Sequence, residues 1–139
     1  MAGADWNDPR PMSPHIQVWK WHATMAASIF HRVTGVALYF GSVLIAAWVV
    51  ALGLDPAADG SAPVLFNWIE LAIASIPGQI LLVLWAAAVL YHLANGIRHL
   101  LWDGPGIGFS PRVASAVSIF NFAFAILGAA AIWAGVALI

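Results

Sequence analysis

Residues 91–103, with the sequence Tyr-His-Leu-Ala-Asn-Gly-Ile-Arg-His-Leu-Leu-Trp-Asp, close a long apolar run and carry an unusual density of polar side chains. On a helix four of them fall on one stripe, because residues three, four and seven apart share a face: His92, Gly96, His99 and Asp103. A neutral imidazole binds a metal or a haem iron through one ring nitrogen. Gly96, one turn from His92, leaves room for a flat macrocycle. The stripe is therefore a candidate cofactor-binding face.

The composition around this stretch is that of an integral membrane protein. Of 139 residues, 63% are hydrophobic and 8% charged, and the mean hydropathy is +0.90. Soluble domains contain about a quarter charged residues, and a soluble chain of this size could not bury so much apolar surface. The net charge of −1 provides no basic patch for nucleic acid. The absence of cysteine excludes disulfides, cysteine-ligated iron–sulfur clusters and covalently attached c-type haem from this chain.

Three apolar stretches predict an all-α integral membrane fold. We expect one domain, residues 1–139, with transmembrane helices at about residues 25–54, 79–102 and 113–138. The uninterrupted part of the first stretch, 22 residues from Val33 to Leu54, suffices to cross about 30 Å of hydrocarbon.

The segments outside the three spans are shorter or more polar. Residues 1–14 contain three prolines and predict an irregular arm, and the Trp- and Lys-containing residues 15–22 predict an interfacial segment. Residues 64–76 are apolar but interrupted by polar side chains, which predicts a short interfacial helix between the first two spans. Ser110 and Pro111 predict the start of the last helix, with the serine as its cap.

The basic residues predict the orientation in the membrane. Arg10, Lys20 and Arg32 flank the first span on its N-terminal side, and Arg98 and Arg112 flank the loop between the second and third spans. By the positive-inside rule the N-terminus and that loop are cytoplasmic. We recognise no signal or transit peptide, so we expect a multi-pass protein of the bacterial inner membrane. The polar clusters around Arg32 and Arg98 should then lie at the same depth.

His92 has two interpretations. It is either a neutral histidine hydrogen-bonded to a neighbouring helix, or an axial ligand of a b-type haem, because an ionisable group at this depth is costly and usually functional. A six-coordinate haem requires a second axial ligand. His99 is about 10 Å away on the same helix, and His31 is expected nearer the membrane surface, too shallow to oppose His92. We therefore expect the second ligand on another chain.

Ser28, His31 and Arg32 cluster near the start of the first span. They are either basic residues that extend to the lipid headgroups or a ligand-binding set. His31 and Arg32 could hold haem propionates, and Ser28 and Arg32 could donate hydrogen bonds to a quinone carbonyl. Asp103 could cap a turn, pair with Arg98 or orient Arg32.

Two motifs connect these residues to a known family. Residues 10–15 (Arg-Pro-Met-Ser-Pro-His) and 28–35 (Ser-Ile-Phe-His-Arg-Val-Thr-Gly) resemble the N-terminal signature of the cytochrome b membrane-anchor subunit of succinate dehydrogenase, complex II. Residues 92–103 resemble the second signature of that subunit. The order and spacing of the motifs agree with the resemblance, as does the three-span layout.

The resemblance implies specific roles. His92 would be an axial ligand of haem b, with the other ligand supplied by a second small hydrophobic subunit. Ser28 and Arg32 would line the ubiquinone site, and His31 and Arg32 would lie near the haem propionates. Arg98, His99 and Asp103 are candidates for supporting these sites. Succinate would be oxidised on a flavoprotein subunit, and an iron–sulfur subunit would pass electrons to the quinone.

Three alternatives stay open at this point. The chain could be a haem-free structural anchor of the same complex, or a small transporter subunit in which His92 and Arg98 form a proton or substrate path. The complex could also work in reverse, reducing fumarate with menaquinone. His15 and His22 have no assigned role.

Overall fold

The computed structural model describes residues 19–53 and 64–138, and within them the chain forms four α-helices. These are α1 (Ala23–Gly53), α2 (Val64–Ala74), α3 (Ile76–Asp103) and α4 (Pro111–Ala137). Three of them, α1, α3 and α4, are long and apolar enough to cross a membrane. The 11 residues of α2 extend only about 16 Å, too short to span. The all-α membrane fold with three candidate spans is thus confirmed.

The predicted N-terminal arm, residues 1–14, lies outside the described residues, as does most of the predicted interfacial segment at residues 15–22. Trp19 to His22 are described and precede α1 without helical structure. The His22 carbonyl accepts hydrogen bonds from the backbone N–H groups of Met25 (3.0 Å) and Ala26 (3.2 Å), so α1 begins directly after it. Trp19 and Trp21 are exposed and pack edge to face, with ring centroids 5.9 Å apart. Exposed tryptophans before a span suit a membrane interface.

The interior of the helix bundle is small and polar, whereas its outer surface is apolar. The buried residues in the described part of the chain are mainly alanines and polar residues, among them Ala27, Ala125, Asn95 and Ser118. Large side chains such as Leu44, Leu100 and Leu127 are about 70% exposed. Small interfacial residues let helices approach closely in a membrane, where leucine gains nothing from leaving the lipid. The distribution is therefore the one expected for a protein solvated by acyl chains.

The corner between α2 and α3 consists of one residue, Ser75. Its hydroxyl accepts a hydrogen bond from the Gly78 backbone N–H at 3.2 Å and caps α3. Pro77 is tolerated because the first turn of a helix does not use its N–H groups. A Cβ on Gly78 would lie 2.0 Å from the Ala72 carbonyl oxygen, so the corner requires glycine. Helix α3 consequently begins three residues before the predicted residue 79, since serine and proline start the helix here.

The α3–α4 loop is a tight turn rich in glycine. The Gly104 N–H donates to the Leu100 carbonyl at 2.9 Å, which ends α3. Gly106 and Gly108 have φ angles of 67° and 88°, where other residues are strained. Ser110 then caps α4 by accepting from the Val113 N–H at 3.4 Å, with Pro111 as the first helical residue. The serine cap agrees with the sequence prediction.

Tyr91 ties the three long helices together. Its hydroxyl donates to the Ala27 carbonyl of α1 at 2.8 Å, and its ring stacks on Phe122 of α4 with centroids 4.7 Å apart. The side chain is 3% exposed. Because Tyr91 fixes α3 between α1 and α4, it also fixes the position of the next residue, His92.

Candidate cofactor-binding site

Three histidines form a column along the contact between α1 and α3, which we call the histidine seam (His31, His92 and His99). The His31 ring stacks on the His92 ring, with centroids 4.0 Å apart and planes 11° from parallel. The His99 ring lies 5.2 Å from the His31 ring on its other side. His31 of α1 therefore lies between two histidines of α3, and the polar clusters of the two helices are at the same level of the bundle.

One sequence expectation about this seam is wrong. His31 is not shallower than His92, because their rings are in contact. The two rings nevertheless cannot bind opposite sides of one iron, since a 4.0 Å separation leaves no room for a metal and a macrocycle between them. The described residues also contain no group of three or more histidine, aspartate and glutamate side chains placed to bind one metal ion. The structure therefore does not place His31 opposite His92 across an iron, and the source of a second axial ligand stays a prediction.

The ring of His92 contacts α1 through one nitrogen. His92 Nδ1 lies 3.2 Å from the His31 carbonyl oxygen and 3.3 Å from the Thr34 hydroxyl oxygen. A Cβ built on Gly35 would lie 3.0 Å from Cε1 of the ring, so α1 approaches closely here. The side chain is half-buried. His31, Thr34 and Gly35 of α1 thus fix the orientation of the His92 imidazole.

The surface beside His92 is open at Gly96. A Cβ built on Gly96 would meet no atom within 4 Å, although this residue lies one turn along the same face of α3. By comparison, a Cβ on Gly41, elsewhere in the α1–α3 contact, would overlap the Trp85 ring at 1.8 Å. Gly41 is thus a helix-packing glycine, whereas Gly96 borders free space next to a histidine.

The other predicted residues of α1 lie at the edge of the seam. Ser28 is half-buried and Arg32 is exposed, on the same helix as His31. Both belong to the first turns of α1, near the exposed Trp21. The structure thus brings His31 into contact with His92 and leaves Ser28 and Arg32 available at the surface of the chain.

Arg98 lies on a different face of α3, against α4. It is 5% exposed, donates a hydrogen bond to the Ser118 hydroxyl at 2.5 Å, and stacks its guanidinium 4.4 Å from the Trp102 ring centroid. Ser118 in turn donates to the Ala114 carbonyl at 2.7 Å. Asp103 is exposed at the last residue of α3. Arg98 therefore has a serine of α4 as its hydrogen-bonding partner, where the sequence had suggested Asp103.

The sequence analysis did not identify the polar residues that accompany Arg98. Asn95, Ser118 and Asn121 are almost completely buried with Arg98, and we call this set the polar seam. Their spacing was the available signal, because residues three apart share one face of a helix. Asn95 precedes Arg98 by three residues on α3, and Ser118 precedes Asn121 by three on α4. A cavity of about 600 Å³ lies in the groove beside this seam, bordered by Arg98, Asn121 and otherwise mainly apolar side chains. The three histidines do not line this cavity, but Trp102 does, and its ring packs edge to face on His99 with centroids 5.2 Å apart.

Comparison with known proteins connects both seams to one family. The family model for the succinate dehydrogenase/fumarate reductase transmembrane subunit matches residues 7–132. A succinate dehydrogenase cytochrome b556 subunit of Rickettsia bellii is 38% identical over 122 residues, covering 85% of this chain and 89% of the relative. The subunit of the same name from Paracoccus denitrificans is 40% identical over 94 residues, covering 68% and 67%.

A mitochondrial relative extends the match beyond bacteria. The succinate dehydrogenase cytochrome b560 subunit of Bos taurus is 36% identical over 114 residues, covering 79% of this chain and 63% of the relative. The matched range includes α1, α2, α3 and most of α4. The chain belongs to the family of succinate dehydrogenase/fumarate reductase transmembrane subunits.

Proposed function

We propose that this chain is the cytochrome b membrane anchor of a succinate:quinone oxidoreductase, with His92 as one axial ligand of haem b. The observation that carries the proposal is the geometry of His92: one ring nitrogen is held against α1 and the adjacent face of α3 is open at Gly96. The relatives are named cytochrome b subunits, which supports a haem in this family. Haem b, when bound, supplies a one-electron redox centre.

The residues around His92 suit a haem of this kind. His92 would provide a nitrogen lone pair to the haem iron, and a second hydrophobic subunit would supply the other ligand. The His31 ring packs against the His92 ring, and its buried Nδ1 has no hydrogen-bond partner among the described residues. His31 and Arg32 would hold the propionates through charge-assisted hydrogen bonds, with His99 as a support beside them.

Ser28 and Arg32 form part of the ubiquinone-reduction site in this proposal. A quinone carbonyl in an apolar pocket needs hydrogen-bond donors, and both side chains donate. Arg32 polarises the carbonyl and stabilises the negative charge that develops on its oxygen as electrons arrive. Arg32 is exposed and Ser28 is half-buried in this chain, so both can contact a ligand bound between this chain and a neighbouring subunit.

The remaining partners follow from the same assignment. An iron–sulfur subunit supplies electrons to the quinone, and a flavoprotein subunit oxidises succinate. The chain lies in the bacterial inner membrane with its N-terminus and the α3–α4 loop in the cytoplasm, supported by the basic residues at that end. The chain contributes to electron transfer in the respiratory chain and the citric acid cycle, while succinate chemistry takes place on its partners.

The decisive experiment replaces His92 in the purified complex. His92→Leu is expected to abolish the low-spin spectrum of the dithionite-reduced haem, because leucine cannot bind iron. His92→Met retains a ligand and is expected to keep the haem with a higher midpoint potential, since methionine ligation raises haem potentials. His22→Leu changes an exposed histidine ahead of α1 and serves as the matched control.

Assembly is measured separately, as co-purification of the flavoprotein and iron–sulfur subunits. The proposal predicts that the control is spectroscopically wild type. An unchanged haem spectrum and potential in both His92 variants would overturn the assignment of the axial ligand.

A further inference from the structure

The hydrogen-bonding surroundings of His92 Nδ1 determine which nitrogen of the ring carries the proton. The two groups facing Nδ1 are the His31 carbonyl oxygen at 3.2 Å and the Thr34 hydroxyl oxygen at 3.3 Å. A carbonyl oxygen only accepts hydrogen bonds, whereas a hydroxyl can either donate or accept. Whether the Thr34 hydroxyl donates or accepts therefore decides which ring nitrogen of His92 carries the proton.

The Thr34 hydroxyl donates its hydrogen bond to a backbone carbonyl within α1. Its hydroxyl oxygen lies 2.7 Å from the Phe30 carbonyl oxygen and 3.1 Å from the His31 carbonyl oxygen, both of which must receive rather than give a hydrogen. A hydroxyl has one proton, and it is directed to one of these carbonyls. The lone pairs of Thr34 consequently face His92. Both neighbours of Nδ1 are then acceptors, so a neutral His92 carries its proton on Nδ1 and its lone pair on Nε2.

We propose that Thr34 is a positioning residue, which holds His92 in the Nδ1–H tautomer and increases the electron density that Nε2 donates to a bound iron. This inference rests on the proposed function, in which His92 binds haem. Hydrogen bonds from the second ring nitrogen of a metal-bound histidine fix its tautomer and raise its basicity as a ligand. A more basic ligand favours ferric over ferrous iron, so the Thr34 contact lowers the midpoint potential.

The packing around the His92 ring restricts its movement away from Thr34. The His31 ring covers one face of His92 at a centroid distance of 4.0 Å, and Gly35 is close enough for a Cβ to reach 3.0 Å from Cε1. Three of the five residues from His31 to Gly35 therefore act on the same imidazole. The hydroxyl of Thr34 contributes a specific electrostatic contact to a ring that packing already confines.

The test removes the hydroxyl of Thr34 and keeps its shape. In the assembled complex, Thr34→Val is expected to raise the haem midpoint potential, because the Nδ1–H loses one of its two acceptors. A tenfold loss of preference for the ferric state corresponds to a rise of about 59 mV for a one-electron couple. We expect a rise of up to that size, with the low-spin haem retained, because the His31 carbonyl still accepts from Nδ1.

Two matched variants separate this effect from general disturbance of α1. Thr34→Ser restores a hydroxyl and is expected to return the potential to the wild-type value. Thr24→Val makes the same change at the chain's other threonine, which forms no hydrogen bond with the histidine seam among the described residues, and is expected to leave the potential unchanged. If Thr34→Val prevents assembly, Thr34→Ala removes the same hydroxyl with less bulk and carries the same expectation.

The outcomes distinguish this inference from the proposed function. If His92→Leu loses the haem spectrum but Thr34→Val and Thr34→Ala keep the wild-type potential, the axial ligand stands and the role of Thr34 is wrong. A rise that Thr34→Ser fails to reverse also overturns the role, because bulk rather than the hydroxyl would then be responsible. If His92→Leu leaves the haem unchanged, both assignments fail.

Discussion

The two sides of α3 bury polar residues in opposite ways. Towards α1, the histidine seam is half-buried and borders open space at Gly96. Towards α4, the polar seam is closed: Arg98 is 5% exposed, and Asn95 and Ser118 are 0% exposed. Polar groups in both seams lie within helices that are long and apolar enough to span a membrane. The two sides of α3 therefore differ in exposure, although both carry polar side chains.

The difference shows how to interpret a charged residue in an apolar helix. An intramembrane arginine is a functional candidate by default. Here Arg98 has a serine acceptor and an aromatic ring within its own chain, although its Nε has no hydrogen-bond partner among the described residues. His92 and His31 are half-buried and Arg32 is exposed, so this side of α3 is more open than the side that faces α4. The two seams should consequently respond differently to mutation, one in activity and the other in stability.

The largest effect is expected at the exposed edge of the histidine seam. Arg32→Ala should reduce ubiquinone reduction by the assembled complex about 10- to 100-fold, because a charged donor to the quinone carbonyl is lost. Subunit composition and thermal stability should remain near wild type, since Arg32 is exposed. Arg112→Ala removes an equally exposed positive charge at the start of α4 and is expected to keep full activity. Succinate-dependent quinone reduction measures the effect, and equal activity of the two variants would contradict the role of Arg32.

The next effect concerns stability and the polar seam. Ser118→Ala should lower the free energy of unfolding by about 1–3 kcal/mol, because it leaves a buried guanidinium donor of Arg98 without its acceptor. Unfolding in mixed detergent micelles measures the change, and haem absorption of the folded fraction should be unchanged. Ser115→Ala, a half-buried serine in the same turn of α4, should cost little.

Removing both partners of this contact sharpens the prediction. Arg98→Met combined with Ser118→Ala should recover more than half of the lost stability, because a buried charge and its acceptor are then replaced together by apolar groups. If Ser118→Ala costs the same whether residue 98 is arginine or methionine, the hydrogen bond does not account for the stability of the polar seam. A double-mutant cycle thus measures the coupling directly.

Most of the fold could be predicted from apolar length and end signals. The three spans, the short helix between the first two, and the Ser110–Pro111 start of α4 all follow from local sequence. The start of α3 was misplaced because Ser75 and Pro77 can end one helix or begin the next. Sequence spacing alone does not decide between these roles, since the decision depends on the α2–α3 corner closing at Gly78.

The site was predictable only in part, because helical periodicity places residues on faces but not against partners. The shared stripe of His92, Gly96 and His99 was visible in the sequence. Its contact with His31 depends on the vertical register of α1 against α3, which the Tyr91–Ala27 hydrogen bond helps to set. Thr34 was missed as an individual residue for the same reason, since its hydroxyl matters only at the register that brings it to His92.

The smallest expected change comes from adding one methyl group, either at Gly96 beside the histidine seam or at Gly135 near the end of α4. Cβ atoms on Gly96 and Gly135 would both meet free space in this chain, so neither substitution by alanine creates an internal clash. Each should gain about 0.5–1 kcal/mol of stability from helix propensity. For Gly135→Ala we expect only this gain in stability, with the haem spectrum and haem content unchanged.

At Gly96 the same methyl would project beside the proposed axial ligand, where a macrocycle needs the space. Gly96→Ala should therefore lower the haem content of the assembled complex or shift the haem midpoint potential, although the helix itself becomes more favourable. Haem-to-protein ratio and redox titration measure the two effects in the same preparation. Identical haem content and potential in the Gly96 and Gly135 variants would mean that the open face beside His92 is filled by lipid or by another subunit, and that openness in a single chain does not mark the ligand-binding side of α3.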